Sequence, residues 1–381
     1  MSMSGVRVVV IFPSTHVYGM ERSTLELVRQ LKKSGADICL LVNELRGEAV
    51  RRIADDIGVV YEQTQFWHKL VRPRSPMHLV RILGDWWSIS GNARRAVKRF
   101  DATHVLCPGL EFFLYSLRTG RRAIRIFALP NPPDAKIVGW KGWVYRWVWN
   151  ALVARNAHWL VCNSNFTRRE LESMVGPRQS IRVIYRCAPE RPPCKPAPKL
   201  SASGMRLLFA GQLTPSKGLH LLLDACEDLV DQGLNLHLTV AGSAPDGDYA
   251  TEVVDRLQKL GKNNFYYAGY VEDIPGLLKQ VDLLVAPSVF DEPLGIVVLE
   301  AKRAGRPALV FPSGGLTEMI EDQVDGWVCA DKSADALAAV LKRLANSRET
   351  LMQAAAHAQS SYVRFNAETM IAAWSKVLTH R

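Results

Sequence analysis

Short apolar runs alternate with amphipathic stretches along the whole chain. In the first half the runs are VRVVVIFP (6–13), DICLLV (37–42), THVLCP (103–108), AIRIFALP (123–130), HWLVCNS (158–164) and IRVIYRC (181–187). Helical patterns lie between them, such as ERSTLELVRQLKKSG (21–35), with Leu25, Val28 and Leu31 on one face. Runs apolar on both faces and separated by helices predict a parallel sheet covered on both sides. The stretch ERPPCKPAPKLSASG (190–204) is rich in Pro and Ser, suits neither a central strand nor a helix, and reads as a linker over 191–204. The pattern then restarts with RLLFAG (206–211), LHLTVAG (236–242), NFYYAGY (264–270), DLLVAPS (282–288), PALVFP (307–312) and GWVCA (326–330). A helical tail follows, Ala-rich to about 358, broken near 360–366, and resumed in ETMIAAWSKVL. The expectation is an α/β chain of two doubly wound domains, with ligands at the carboxyl ends of the strands in a cleft between them.

Composition agrees with a folded, soluble chain: 381 residues, 48% hydrophobic and 22% charged. No uncharged apolar run reaches the length of a spanning helix, and MSMSGVRVVVIFPS lacks the basic-then-apolar order of a signal peptide. A cytoplasmic protein is expected. The seven cysteines, Cys39, Cys107, Cys162, Cys187, Cys194, Cys226 and Cys329, form no CxxC pair and read as buried free thiols. Charge divides the chain. Residues 1–200 hold 32 Lys and Arg against 15 Asp and Glu, a net +17, whereas the remainder is −6. The basic half is expected to meet an anionic surface or substrate.

Four turns carry candidate chemistry. In FAGQLTPSKGLHLLLDAC (209–226) a strand ends at Gly211, and Lys217 and Gly218 open a helix, which places a cation and free amides where a phosphate would bind. The segment also reads as a plain capped turn. In DEPLGIVVLE (291–300) the amides of Leu294, Gly295 and Ile296 are helix-start donors suited to a phosphate. Glu300 then suits a vicinal diol such as a ribose, and Glu292 reaches toward whatever the phosphates carry. Near the first strand, Gly19 in STHVYGMERSTLELV (14–28) permits close approach of a ligand to the backbone. PSGGLTEMI (312–320) adds a flexible Gly314–Gly315 turn before Glu318. The Asp-x-Asp of DGD (246–248) has no third ligand nearby and is set aside as a metal site.

These residues resemble a known family. The AGQL…PSKG turn, the Glu-x7-Glu of Glu292 and Glu300, and GG…E (314–318) look like the C-terminal domain of retaining family 4 glycosyltransferases of the GT-B fold. YGME, NSNFTRREL (163–171) and IYRCAPE (184–190) look like that family's first domain. The resemblance implies an acceptor-binding domain over 1–190 with the C-terminal helix 365–381, and a nucleotide-sugar-binding domain over 205–364. It implies that Lys217, with Gly211 and Gln212 beside it, binds the donor diphosphate. Glu292 would contact the transferred sugar and Glu300 the ribose. The amides of Leu294, Gly295 and Ile296, with Gly19, would line the phosphate and sugar pocket, and Tyr270 and Val271 would flank the base. No cofactor or metal is implied.

The sequence departs from the family at three points. Gln212 stands where an arginine is usual, Tyr18 replaces a second glycine, and IFALPNPPD carries Leu129, Pro130 and Asn131 where a histidine is common. Neither His16 nor His104 matches that histidine. The implied partners are a nucleotide-sugar donor and a glycan or lipid-linked acceptor of bacterial envelope or exported polysaccharide, with no nucleic acid. Aromatic and basic residues recur together at 66–99 (Trp67, Trp86 and Trp87 with Arg72, Arg74, Arg81, Arg94, Arg95, Lys98 and Arg99) and at 141–160 (Trp143, Tyr145, Trp147 and Trp149). Such stretches suit an anionic membrane interface, and also ordinary core. A sugar-nucleotide epimerase and a non-catalytic nucleotide-binding protein are the competing readings.

Overall fold

The computed structural model describes residues 3–12, 14, 19–44, 47–64, 76–120, 122–134, 137–189, 204–245, 247–260 and 264–379. The linker expected over 191–204 falls almost wholly outside them, as do Cys194, His16, Tyr18, Trp67, Arg72, Arg74 and Asp246. The chain forms two compact units, Met1–Pro189 with Ala367–Arg381, and Glu190–Asn366.

The first unit holds strands β1 (Arg7–Ile11), β2 (Asp37–Asn43), β3 (Val60–Thr64), β4 (His104–Cys107), β5 (Ile124–Leu129), β6 (Trp159–Cys162) and β7 (Ile181–Val183). Its helices are α1 (Gly19–Lys33), α2 (Glu48–Ile57), α3 (Pro76–Arg99), α4 (Leu110–Ser116), α5 (Gly139–Val148) and α6 (Asn165–Val175). All seven strands pair in parallel in the order β3-β2-β1-β4-β5-β6-β7. The order reverses between β1 and β4, which makes their carboxyl ends the switch point of the sheet. β3 is the strand the apolar pattern does not announce: VYEQT is polar and only its last residue is buried, because an edge strand has one neighbour and less to bury.

The second unit repeats the plan with β8 (Met205–Ala210), β9 (Leu236–Ala241), β10 (Phe265–Gly269), β11 (Leu283–Ala286), β12 (Ala308–Val310) and β13 (Gly326–Val328). Its helices are α7 (Leu219–Asp231), α8 (Asp248–Leu260), α9 (Ile274–Leu278), α10 (Ile296–Arg303), α11 (Ala334–Ala345) and α12 (Arg348–Ser361). The parallel order β10-β9-β8-β11-β12-β13 puts the switch point between β8 and β11. The chain breaks into a 3₁₀ turn at Tyr362–Phe365, and α13 (Ala367–Thr379) closes the first unit. There Met370, Trp374, Val377 and Leu378 join the core formed by Val28 and Leu31 of α1 and Val8 and Val10 of β1.

Two local features sort residues that periodicity leaves open. A π segment, Trp149–Ala154, follows α5 and turns Trp149 into the core against Phe127, at 5.8 Å between ring centroids. Trp140, Trp143 and Trp147, one face of α5, stay exposed. Cys39, Cys107, Cys162, Cys187, Cys226 and Cys329 are buried free thiols. Burial pushes the Cys107 thiol up to about 12, so it is no nucleophile at neutral pH.

Candidate active site

The loops that leave the two switch strands of the second unit touch. After β8 the chain crosses Gln212 and Leu213, makes a 3₁₀ turn over Pro215–Lys217, and enters α7. After β11 it runs through Pro287 to Gly295 before α10. The amides of Val289 and Phe290 donate to the Ser216 carbonyl at 2.9 and 3.2 Å. Gly218 has φ +70°, and a Cβ there would lie 1.9 Å from the Pro287 carbonyl oxygen. The glycine after the lysine is therefore required by the approach of the two loops.

This approach joins Lys217 and Glu292. The lysine Nζ donates to Glu292 Oε1, and the Ser288 hydroxyl donates to the same oxygen at 2.8 Å. Glu292 is the more sheltered partner, with 12% of its side chain exposed against 32% for Lys217. The third loop, after β12, locks the glutamate's backbone. Gly315 N donates to Glu292 O at 2.6 Å, and the Ser313 hydroxyl donates to the Ser288 carbonyl. Cβ atoms at Gly314 (φ +55°) and Gly315 would meet Glu292 O and Pro293 O at 2.5 and 2.3 Å. The flexible turn expected at Gly314–Gly315 is thus a close-packed wedge, and the glycines are needed for contact rather than for motion. Lys332 braces the loop further, donating to Val289 O at 2.9 Å and to Asp291 Oδ1 at 2.8 Å.

Helix α10 starts at Ile296, with Gly295 as its N-cap. Among the described residues no backbone carbonyl accepts from the amides of Leu294, Gly295 or Ile296. Gly295 itself is buried: a Cβ would come 2.3 Å from Leu316 Cδ2. Glu300 is half-buried in the second turn, between buried Leu299 and Ala301. The same helix is anchored from below by a buried ion pair. Lys302 Nζ donates to Asp325 Oδ2 and to Met319 O, both at 2.6 Å, with neither side chain exposed. Burial lowers the Lys302 pKa, and Asp325 opposes the shift.

The carboxyl edge of the sheet continues from this cluster to Tyr270. Gly211 N donates to Ala241 O at 3.0 Å and Gly242 N to Gly269 O at 2.8 Å. Gly269, at φ +69°, then turns the chain so that Tyr270 is exposed and Val271 half-buried. Gln212 is exposed at the β8 end of this edge. In the first unit Gly19 is the first residue of α1, not a loop residue, and a Cβ there would meet nothing within 4 Å. Its steric need for glycine is absent among the described residues. His104 opens β4, at the end of the strand away from its carboxyl edge. Sequence reasoning missed Ser288, Ser313 and Lys332. A serine four residues before a glutamate carries no signal when both lie in a loop.

Comparison with known proteins matches this arrangement on both units. The model of the glycosyl transferase 4-like domain matches residues 18–187, and that of glycosyl transferases group 1 matches residues 197–361. The chain belongs to the family 4 glycosyltransferases. Similar members include an uncharacterized glycosyltransferase of Methanocaldococcus jannaschii, 37% identical over 35% of this chain and 33% of that one. The lipopolysaccharide 1,2-N-acetylglucosaminetransferase of Salmonella typhimurium is 28% identical over 38% and 40%. The matches thus span about a third to two fifths of these relatives. Among solved structures, Anabaena HepE in complex with UDP and glucose aligns with a TM-score of 0.78 at 18% identity, covering 99% of this chain and 100% of that one. This likeness establishes the GT-B fold with its two Rossmann-like domains.

Proposed function

We propose that this glycosyltransferase moves a sugar, with retention, from a nucleoside-diphosphate sugar to a glycan or lipid-linked acceptor in bacterial envelope or exported polysaccharide synthesis. The observation that carries the reading is the Lys217–Glu292–Ser288 cluster at the carboxyl ends of the switch strands. Glycosyl transfer builds negative charge on the departing diphosphate. Lys217 and the open amides at the start of α10 are fixed donors for that charge, placed before the reaction begins. Adjacent parallel strands lie about 4.8 Å apart, so the edge from β11 through β8 and β9 to β10 spans roughly 14 Å. That reach suits a diphosphate and ribose at Gly211, Gln212 and Glu300, with the base at Tyr270 and Val271. Glu292 takes the sugar hydroxyls. The departing phosphate accepts the acceptor proton, so the first domain need not supply the histidine it lacks.

In this reading no metal takes part. Turnover that stops in EDTA and returns with a divalent cation would overturn this point.

We also read the exposed aromatic faces of the first unit as a contact with an anionic membrane surface on the cytoplasmic side. Trp140, Trp143 and Trp147 are 74, 68 and 54% exposed, and Met77, Val80, Leu83 and Trp87 line one side of α3. Arg118 stacks its guanidinium 3.4 Å over Trp87. No helix among the described residues is long and apolar enough to cross a membrane.

The deciding experiment is a thermal-shift screen of the full chain against nucleotide sugars, followed by turnover of the best hit with and without acceptor glycans. Transfer to an acceptor supports the reading. Epimerisation of the donor, or binding with no turnover, sinks it in favour of the two competing readings.

A further inference from the structure

Arg186 follows β7 and turns its side chain into the first unit, where 7% of the residue's surface stays open. A buried guanidinium brings five donors and a full charge, and is ordinarily met by a carboxylate or several carbonyls. Other buried charges among the described residues follow that rule. Lys302 has Asp325, Asp282 has Arg206, and Arg125 donates to the carbonyls of Asn156 and Gly120. Among the described residues the Arg186 side chain makes one hydrogen bond: Nη1 donates to the Ser23 carbonyl at 3.5 Å, the outer limit for such a bond. No carboxylate among the described residues stands near enough to raise its pKa, which burial lowers to about 10.

Its position adds a second observation. Ser23 belongs to the start of α1, the helix that follows β1, and the sheet's switch point lies between β1 and β4. Ligands of open parallel sheets bind there. The first amides of α1 have no acceptor within the helix, and its positive end begins at Gly19, four residues before Ser23. The helix's own acids are engaged elsewhere. Glu21 accepts from the Ser14 hydroxyl at 3.0 Å, and Glu26 accepts from the Gln30 amide at 2.7 Å.

We propose that Arg186 and the amino end of α1 form an oxyanion site in the first unit, which takes a phosphate or carboxylate carried by the acceptor. The word acceptor rests on the glycosyltransferase reading above; the anion site does not. A planar guanidinium holds either group through two parallel hydrogen bonds. An acceptor bearing a sugar phosphate, a lipid phosphate or a uronic acid satisfies the buried charge. A neutral glycan leaves it unmet.

The test is thermal unfolding of the full chain at fixed ionic strength, titrated with inorganic phosphate and, separately, with glucuronate, against chloride and glucose controls. At least one oxyanion is expected to raise Tm by about 3 °C or more near saturation, and the larger shift names the class. Arg186→Met is expected to abolish the shift while its ligand-free Tm stays equal or rises, since an unpaired buried charge has gone. Arg186→Lys keeps the charge but loses the planar fork, and is expected to retain a smaller shift. Should the methionine variant not fold, Arg186→Gln carries the same comparison. No shift with either oxyanion, or an equal shift in the wild type and the neutral variant, overturns the site. Nucleotide sugars that stabilise neither protein would instead overturn the glycosyltransferase reading and leave the anion site standing.

Discussion

Lys217 and Glu292, 75 residues apart, meet through their side chains where the loops of β8 and β11 close on each other. Each carries a charge the ligand-free protein needs neutralised, and each offers a group that a charged donor would reorganise. Partly exposed ion pairs contribute about 0–1 kcal/mol to stability. The pair therefore matters little to folding. Lys217→Ala and Glu292→Gln are expected to lower kcat by about 100- to 1,000-fold, the scale for loss of one preorganised charge-stabilising group, while Tm stays within a degree or two. Glu300→Ala is expected to raise KM for the donor with kcat largely kept. Steady-state kinetics beside calorimetry separates these outcomes, and near-normal turnover in Lys217→Ala would end its assigned role.

Gly218 tests whether the meeting of the loops is what positions the lysine. Alanine there would sit at φ +70° with its Cβ 1.9 Å from Pro287 O. Gly58 provides the control, since it has φ +73° with nothing within 4 Å of a Cβ. Gly58→Ala is expected to cost about 1 kcal/mol, the left-handed penalty alone. Gly218→Ala adds a backbone clash and should cost at least about 2 kcal/mol more, with loss of turnover. Urea midpoints for the two variants check this directly. Equal costs would mean that the loop contact yields without effort.

Much of this architecture was legible in the order of residues, and the remainder is contact across the fold. Strands such as VRVVVIFP announce themselves because both their faces are buried. β3 does not, because VYEQT is an edge with polar residues on its open side. The pattern marks Lys217, Glu292 and Glu300 as odd charges at strand-to-helix turns, but it cannot say that Lys217 and Glu292 touch. The glycines were legible only as punctuation. Gly218, Gly314 and Gly315 are fixed by what lies opposite them, the carbonyls of Pro287, Glu292 and Pro293. Arg186 looks like any arginine in a basic half until its burial is known.

His104 gives the first unit a pH dependence of its own. Its ring is buried, with Nδ1 2.8 Å from the Thr103 hydroxyl and, among the described residues, no partner for Nε2. Burial, assisted by His158, lowers its pKa from 6.5 to about 4. Between those values the unfolded chain binds a proton that the folded chain refuses, so stability falls as pH drops from 6.5 toward 4. Below about 4 both states are protonated and the loss is complete, on the order of 3 kcal/mol. His104→Leu should flatten that part of the curve. Urea unfolding at pH 7, 5.5 and 4.5 measures the slope, and an unchanged slope in the variant would assign the acid sensitivity to other groups.

The exposed face of α5 separates membrane binding from core packing, because tryptophans of both kinds sit within ten residues. Trp140, Trp143 and Trp147 are exposed, whereas Trp149 is buried against Phe127. Replacing the first three with serine removes surface that touches water, so Tm should hardly change. Trp149→Ala removes a packed ring and should cost about 3–5 kcal/mol. If the basic half meets anionic lipid, the wild type floats with phosphatidylglycerol vesicles at low salt and is released as salt screens the charges. The triple serine variant should then bind at least about tenfold more weakly at the same salt, since each buried indole contributes on the order of a kcal/mol to interfacial binding. Equal flotation of both proteins would show that charge alone holds the surface and that the tryptophans of α5 face something other than a bilayer.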